Sequence, residues 1–129
     1  MTKQRVLVLD DEALIADSLV QILEMFGFDA AACYDPADAV AWLSANPCDI
    51  LVSDVVFNGQ MSGVDLAIQM CKTMPRCKVL LMSGNNSTGE LLAAAQEQGH
   101  TFDILAKPVH PSVILERLRA ISNVHGPVA

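Results

Sequence analysis

The chain has 129 residues, of which 52% are hydrophobic and 5% aromatic, and its formal net charge is −7. This composition predicts one domain with a mainly aliphatic core, and the acidic excess argues against a nucleic-acid-binding surface, which needs clustered lysines and arginines. No apolar run approaches the roughly 20 residues of a membrane span, and the N-terminus lacks the apolar stretch of a signal peptide, so we expect a cytoplasmic protein that contacts no membrane.

Short apolar runs and stretches of helical periodicity alternate five times along the chain. The apolar runs are typical of strands buried on both faces of a sheet, and the stretches between them are typical of helices. Gly27 ends the first predicted helix, while Asp35 and Pro36 are typical N-cap and first-turn residues of the second. In chain order, the predicted elements are strand 6–9, helix 15–26, strand 29–34, helix 36–45, strand 50–53, helix 64–73, strand 78–82, helix 88–98, strand 103–106 and helix 111–122.

This alternation predicts an α/β fold with a five-stranded parallel sheet, doubly wound by helices on both faces. One domain is expected over residues 1–124, followed by a frayed tail at 125–129. Because that domain uses nearly the whole chain, we expect its output to pass through a partner or through a longer protein that contains it. The cysteines have no zinc-site spacing and are expected to be reduced thiols packed as small hydrophobes; they are Cys33, Cys48, Cys71 and Cys77.

Polar residues follow the predicted strands, and ligands of parallel α/β sheets bind at the carboxyl ends of strands. Asp10 and Asp11 follow the first strand, Asp54 the third, Ser83 the fourth and Lys107 the fifth. Clustered carboxylates repel one another unless a cation lies between them, and Mg²⁺ prefers oxygen ligands and often bridges carboxylates to a phosphate. A carboxylate can also attack phosphorus, with an ammonium and a hydroxyl stabilising the phosphoryl oxygens.

In this combination the chain resembles the receiver domains of two-component response regulators, over essentially its whole length. The adjacent acids after the first strand, the phosphoacceptor Asp54, the pair Ser83-Gly84 and the pair Lys107-Pro108 match the motifs of that family. The resemblance implies the flavodoxin-like (βα)5 fold. It also implies a signalling module that catalyses only its own phosphorylation and dephosphorylation, and is not otherwise an enzyme.

The family resemblance implies a role for each residue of the site. Asp54 would accept a phosphoryl group from a histidine, and Mg²⁺ would be bound by Asp11, Asp54 and the backbone carbonyl of Val56, with Asp10 acting through water. The Lys107–Pro108 peptide bond is expected to be cis. The implied partners are a sensor or hybrid histidine kinase, or a histidine phosphotransfer protein, together with a downstream effector or a second copy of the chain.

The sequence departs from the family pattern at two places. Asn58 replaces a common proline and Gly63 lies nine residues after Asp54, so the intervening loop is one residue longer, as in receivers of hybrid histidine kinases. Ile104 stands where the family has an aromatic switch residue. We therefore expect the switch to act through the loop at 83–89 and the start of the fourth helix.

Three alternative functions fit parts of the pattern. A flavodoxin-like FMN carrier has the same alternation, but its phosphate loop needs glycine, serine or threonine where this chain has acids. A haloacid-dehalogenase-type phosphatase has an Asp-x-Asp motif after its first strand, whereas here the acids are adjacent. A degenerate receiver that binds partners without being phosphorylated is the strongest alternative.

Overall fold

The structure, a computed structural model, describes residues 3–57, 61–84, 88–99 and 102–122. Its strands are β1 (Arg5–Leu9), β2 (Asp29–Cys33), β3 (Ile50–Asp54), β4 (Lys78–Ser83) and β5 (Asp103–Ala106). Its helices are α1 (Ala13–Met25), α2 (Pro36–Ala45), α3 (Gly63–Thr73), α4 (Thr88–Glu97) and α5 (Pro111–Ser122). Every predicted element is present, and no predicted bound is wrong by more than two residues. The predicted domain end at 124 and the tail at 125–129 lie outside the described residues.

All five strands form one parallel sheet in the order β2-β1-β3-β4-β5, which confirms the predicted fold class. The chain moves outward from β1 to β2 and then returns to the other side of β1 to form β3. The strand order therefore reverses between β1 and β3, and ligands of such sheets bind beyond the strand ends at this reversal point. The acids after β1 and at the end of β3 flank that point.

Helices cover the sheet on both faces because strand side chains alternate between them. Leu7 and Leu51 face the cluster formed with α2, α3 and α4, whereas Val8 and Val52 face the cluster formed with α1 and α5. All four are fully buried. This double burial explains why β1 and β3 are continuous apolar runs in the sequence.

Local sequence explains where α1 ends and where α2 begins. Gly27 follows α1 with a φ of +96°, a conformation that residues with a Cβ rarely adopt. The Asp35 side chain accepts a hydrogen bond from the backbone N of Asp38 at 2.8 Å, and Pro36 occupies the first turn of α2, as predicted. Within the described ranges, none of the helices combines the length and the apolar character needed to cross a membrane.

Candidate functional site

The acids that follow β1 and end β3 lie together at the carboxyl edge of the sheet. Three carboxylate oxygens, one from each of Asp10, Asp11 and Asp54, lie within 4.8 Å of one another. The ammonium of Lys107 meets them from the end of β5, with its Nζ 3.0 Å from Asp10 Oδ2 and 2.5 Å from Asp54 Oδ1. The structure therefore brings these four predicted residues into one site, in which one ammonium pairs with two of the three clustered carboxylates.

Asp10 is completely buried, and its two carboxylate oxygens serve two different elements. Oδ1 accepts a hydrogen bond from the backbone N of Glu12 at 2.9 Å, where α1 begins, and Oδ2 pairs with Lys107. Asp10 therefore fixes both the start of α1 and the position of the ammonium. The sequence predicted Asp10 as part of a metal site but did not predict its ion pair with Lys107.

The position of Lys107 depends on the backbone between β4 and β5. The Lys107–Pro108 peptide bond is cis, as predicted, and the backbone N of Lys107 donates to the carbonyl of Ser83 at 2.8 Å. Burial by itself lowers the pKa of Lys107, but hydrogen bonds from its ammonium to Asp54 and Asp10 outweigh burial, and the net shift of the pKa is upward. Lys107 therefore stays positively charged at neutral pH.

Asp54 ends β3 and is only 8% exposed. Burial raises the pKa of its carboxyl to about 7, against the opposing effect of the Lys107 ammonium and with a further upward contribution from Asp10. When all three carboxylates are ionised, the one ammonium leaves a net negative charge in the cluster. A second cation would lower the free energy of the ionised site.

A cavity of about 230 Å³ opens beside Asp54. Its lining residues come from all the strand ends at this edge except that of β2, and they are Glu12, Asp54, Val55, Val56, Met82, Gly84 and Lys107. Asp54 is the one member of the carboxylate cluster that lines it. Val56, predicted to offer its carbonyl to a metal, also borders the cavity. Glu12 was not predicted as a lining residue, although its place directly after the acidic pair is a signal in the sequence.

Ser83 ends β4 at the same edge of the sheet. The strand register pairs Asp54 with Met82 and Ser83 with Ala106, so Ser83 lies one residue beyond the partner of Asp54. Gly84, the next residue, lines the cavity, and a Cβ built on it would lie 3.6 Å from Lys107 Cβ and Cδ. Position 83 and the small residue after it therefore lie at the same edge of the sheet as the carboxylate cluster.

Helix α3 begins against the backbone that carries Asp54. The backbone N of Gly63 donates to the carbonyl of Val55 at 2.7 Å, and a Cβ at Gly63 would overlap the carbonyl oxygen of Asp54 and lie 2.9 Å from Ser53 Oγ. Position 63 therefore requires glycine for close packing. From the sequence, Gly63 was predicted only as part of the loop pattern of the receiver family, and this contact was not predicted.

The structure describes only some of the positions at which the sequence departs from the family pattern. Ile104 is half-buried in β5 and packs against the core cluster formed with α2, α3 and α4. Asn58 lies outside the described residues, as do residues 85–87 of the predicted switch loop. The loop-based switch therefore stays a prediction.

Comparison with known proteins gives a consistent family. A family model described as the response regulator receiver domain matches residues 6–119. The DNA-binding transcriptional regulator NtrC of Rhizobium meliloti is 32% identical over 108 residues, which cover 84% of this chain and 22% of that protein. The response regulator MprA of Mycobacterium avium is 26% identical over 117 residues, 91% of this chain and 50% of that protein. The chain thus spans half or less of the length of these relatives.

Solved structures share the fold over almost the whole chain. A CheY-like response regulator receiver domain protein from Methanospirillum hungatei JF-1 is 24% identical, with a TM-score of 0.84, covering 95% of this chain and 96% of that one. A two component transcriptional regulator AraC from Clostridium phytofermentans ISDg is 28% identical, with a TM-score of 0.75, covering 92% of this chain and 91% of that one.

The matched range contains the complete carboxylate cluster, the β4 end and the lysine that faces the cluster. This agreement favours the receiver function over the flavin-carrier and phosphatase alternatives. The chain therefore belongs to the response regulator receiver domain family.

Proposed function

We propose that Asp54 accepts a phosphoryl group from a phosphohistidine of a sensor or hybrid kinase, or of a histidine phosphotransfer protein. The observation that carries this proposal is the position of Asp54: of the three clustered carboxylates, it is the one that lines the open cavity. Asp10 is fully buried and holds α1 and Lys107, which leaves it unsuited to attack an incoming group. Phosphorylation would switch the protein between two signalling states.

The proposed transfer breaks one bond and forms one bond. A carboxylate oxygen of Asp54 attacks the phosphorus, the P–N bond of the donor breaks, and its electron pair returns to the donor imidazole, which takes a proton from water. Lys107 is already within ion-pair distance of Asp54, so its ammonium can contact the transferred phosphoryl oxygens. The hydroxyl of Ser83 is proposed as a second contact. Catalysis of its own dephosphorylation by the same residues belongs to the same proposal.

The residues at this edge fit a bound Mg²⁺. Their donor atoms are hard oxygens, three carboxylates lie within reach of one another, and one ammonium leaves their charge unbalanced. Asp11, Asp54 and the carbonyl of Val56 would hold the ion, with Asp10 acting through water. When bound, Mg²⁺ would neutralise charge that develops on the phosphoryl oxygens.

We expect Mg²⁺ to raise the melting temperature of the protein, because a cation that binds the folded site stabilises it in proportion to the logarithm of its concentration. Asp11→Asn should remove most of this shift, since it deletes an exposed carboxylate of the cluster. Asp103→Asn, at the start of β5 and the opposite edge of the sheet, is the matched control and should keep the shift. Thermal unfolding with and without a chelator measures both. An equal Mg²⁺ shift in all three proteins contradicts the proposed ligand set.

An apolar groove beside the site supports a protein as the phosphoryl donor. A cavity of about 660 Å³ runs between α1 and α5 and reaches Lys107, with Leu14, Ile15, Pro108 and Ile114 among its lining residues. Leu14 is 80% exposed, although its side chain is fully apolar. Binding of a partner over such a surface is favourable, because it removes apolar area from water.

We also propose a cytoplasmic location and no direct contact with nucleic acid. The net charge of −7 supports the second of these two points.

The output is proposed to pass through the loop at 83–89 and the start of α4 to a downstream effector or a second copy of the chain. Ile104 has no ring that could swing between two positions, so backbone movement must carry the signal at this face. We expect beryllofluoride, a phosphoryl mimic, to change amide hydrogen exchange at residues 83–95. Changes that stay within residues 54–63 would rule out this route.

A further inference from the structure

Two cysteines lie together at the edge of the sheet opposite the carboxylate cluster. Cys48 comes shortly before β3 and Cys77 directly before β4, and these strands are neighbours. The ladder between the strands continues to this edge, because the backbone N of Lys78 donates to the carbonyl of Asp49 at 2.9 Å. Both side chains belong to the same core cluster and are 8% and 7% exposed.

The two thiols are close enough that each shifts the pKa of the other. Their own hydrogen bonds run to backbone carbonyls, from Cys48 Sγ to Ile50 at 3.2 Å and from Cys77 Sγ to Lys78 at 3.6 Å. Lys78 pairs with Ile50, so Cys77 is level with Asp49 and lies one residue away from Cys48 along the neighbouring strand. With strands about 4.8 Å apart, such diagonal neighbours are compatible with the separation of about 4.4–6.8 Å between α-carbons that a disulfide spans. Cys77 also lines a surface cavity of about 470 Å³, together with Cys71. The cavity therefore gives a small oxidant access to the Cys77 side of the pair.

Their proximity makes the two thiols chemically different. The neighbouring Cys77 lowers the pKa of the Cys48 thiol, and Cys48 in turn raises the pKa of Cys77. Since the thiolate is the reactive form, Cys48 is the nucleophile of the pair. Cys33, buried to the same extent at the end of β2, has a pKa raised by burial and lacks this activation.

We propose that Cys48 and Cys77 are a redox-active pair that closes to a disulfide when the protein meets a peroxide. The Cys48 sulfur attacks a peroxide oxygen, the O–O bond breaks, and water leaves after hydrogen peroxide has given Cys48 a sulfenic acid. The Cys77 sulfur then attacks the Cys48 sulfur, an S–S bond forms, and the S–O bond breaks. The departing hydroxide takes the Cys77 proton and leaves as a second water.

The disulfide would join the starts of the two strands whose other ends carry Asp54 and Ser83. It would also close a long loop of the unfolded chain, which contains Asp54 and the whole of α3. Closure of such a loop stabilises the folded state. We therefore expect the oxidised protein to melt several degrees above the reduced protein.

Hydrogen peroxide, added to the full chain in chelator-containing buffer, provides the test. Intact mass measured under denaturing conditions should show the loss of two hydrogens, reversed by dithiothreitol. Peptide mapping without reductant should find residues 48 and 77 in one linked species. Added oxygen atoms without loss of hydrogens, or a link between Cys71 and Cys77, would overturn the proposal.

Three variants provide the controls. Cys48→Ser and Cys77→Ser should each abolish the loss of hydrogens, whereas Cys33→Ser, which removes an equally buried thiol, should retain it. Circular dichroism establishes which variants are folded. If neither Cys48→Ser nor Cys77→Ser folds, the peptide map of the wild-type chain establishes whether Cys48 and Cys77 are linked. An unchanged loss of hydrogens in folded Cys48→Ser overturns the assignment.

Discussion

Asp54→Ala should abolish labelling of the protein by a small phosphodonor such as acetyl phosphate. The substitution removes the carboxylate that lines the cavity, and the two remaining carboxylates of the cluster do not line it. Chelation of Mg²⁺ should abolish labelling of the wild-type chain for a separate reason, since the proposed cation would be lost. Intact mass measures the added phosphoryl group directly.

The matched control for this experiment is Asp103→Ala, which removes an exposed carboxylate at the start of β5 and should leave labelling intact. Thermal unfolding in chelator establishes that Asp54→Ala is folded. Undiminished labelling of that variant would disprove the assignment of Asp54. A wild-type chain that takes no label in Mg²⁺ would instead support the degenerate receiver that binds partners without phosphorylation.

Sequence patterns predicted the sheet well because its central strands are buried on both faces. A strand such as β1 has no solvent-facing side, so it is a continuous apolar run that is visible without any tertiary information. The predicted ends were less accurate where polar residues close a strand. Asp54 and Ser83 were expected just beyond β3 and β4, but both belong to the strands, because ladder pairing with Met82 and Ala106 continues through them.

The residues of the site could be predicted because parallel strands place their carboxyl ends at one edge. What each side chain contacts could not be predicted, because those contacts join distant parts of the chain. Asp10 and Lys107 form an ion pair across 97 positions of sequence. Cys48 and Cys77 have no recognisable spacing, and their contact exists only because β3 and β4 are neighbours.

The packing of Gly63 against β3 is another contact that could not be predicted from the sequence. Its substitution is expected to have a large effect on the free energy of unfolding. Gly63→Ala should lower the free energy of unfolding by about 3 kcal/mol, the upper part of the usual range for overpacking a core. The added methyl group would overlap the carbonyl oxygen of Asp54 and crowd Ser53 Oγ at 2.9 Å. Both atoms belong to β3, a central strand held by ladders on both sides, so they cannot move aside cheaply. Urea unfolding at 25 °C measures the change.

Two further glycines separate this packing effect from backbone strain. Gly27→Ala adds a Cβ in open space but forces alanine into a φ of +96°, which should cost about 1 kcal/mol. Gly84→Ala meets Lys107 Cβ and Cδ at an ordinary 3.6 Å and should change stability by less than about 0.5 kcal/mol. If Gly63→Ala costs no more than Gly27→Ala, the close approach of α3 to the Asp54 backbone is wrong. If it costs more, relief of the overlap must push α3 away from β3 or displace the Asp54 backbone, and phosphoryl labelling at Asp54 should then fall in the same variant.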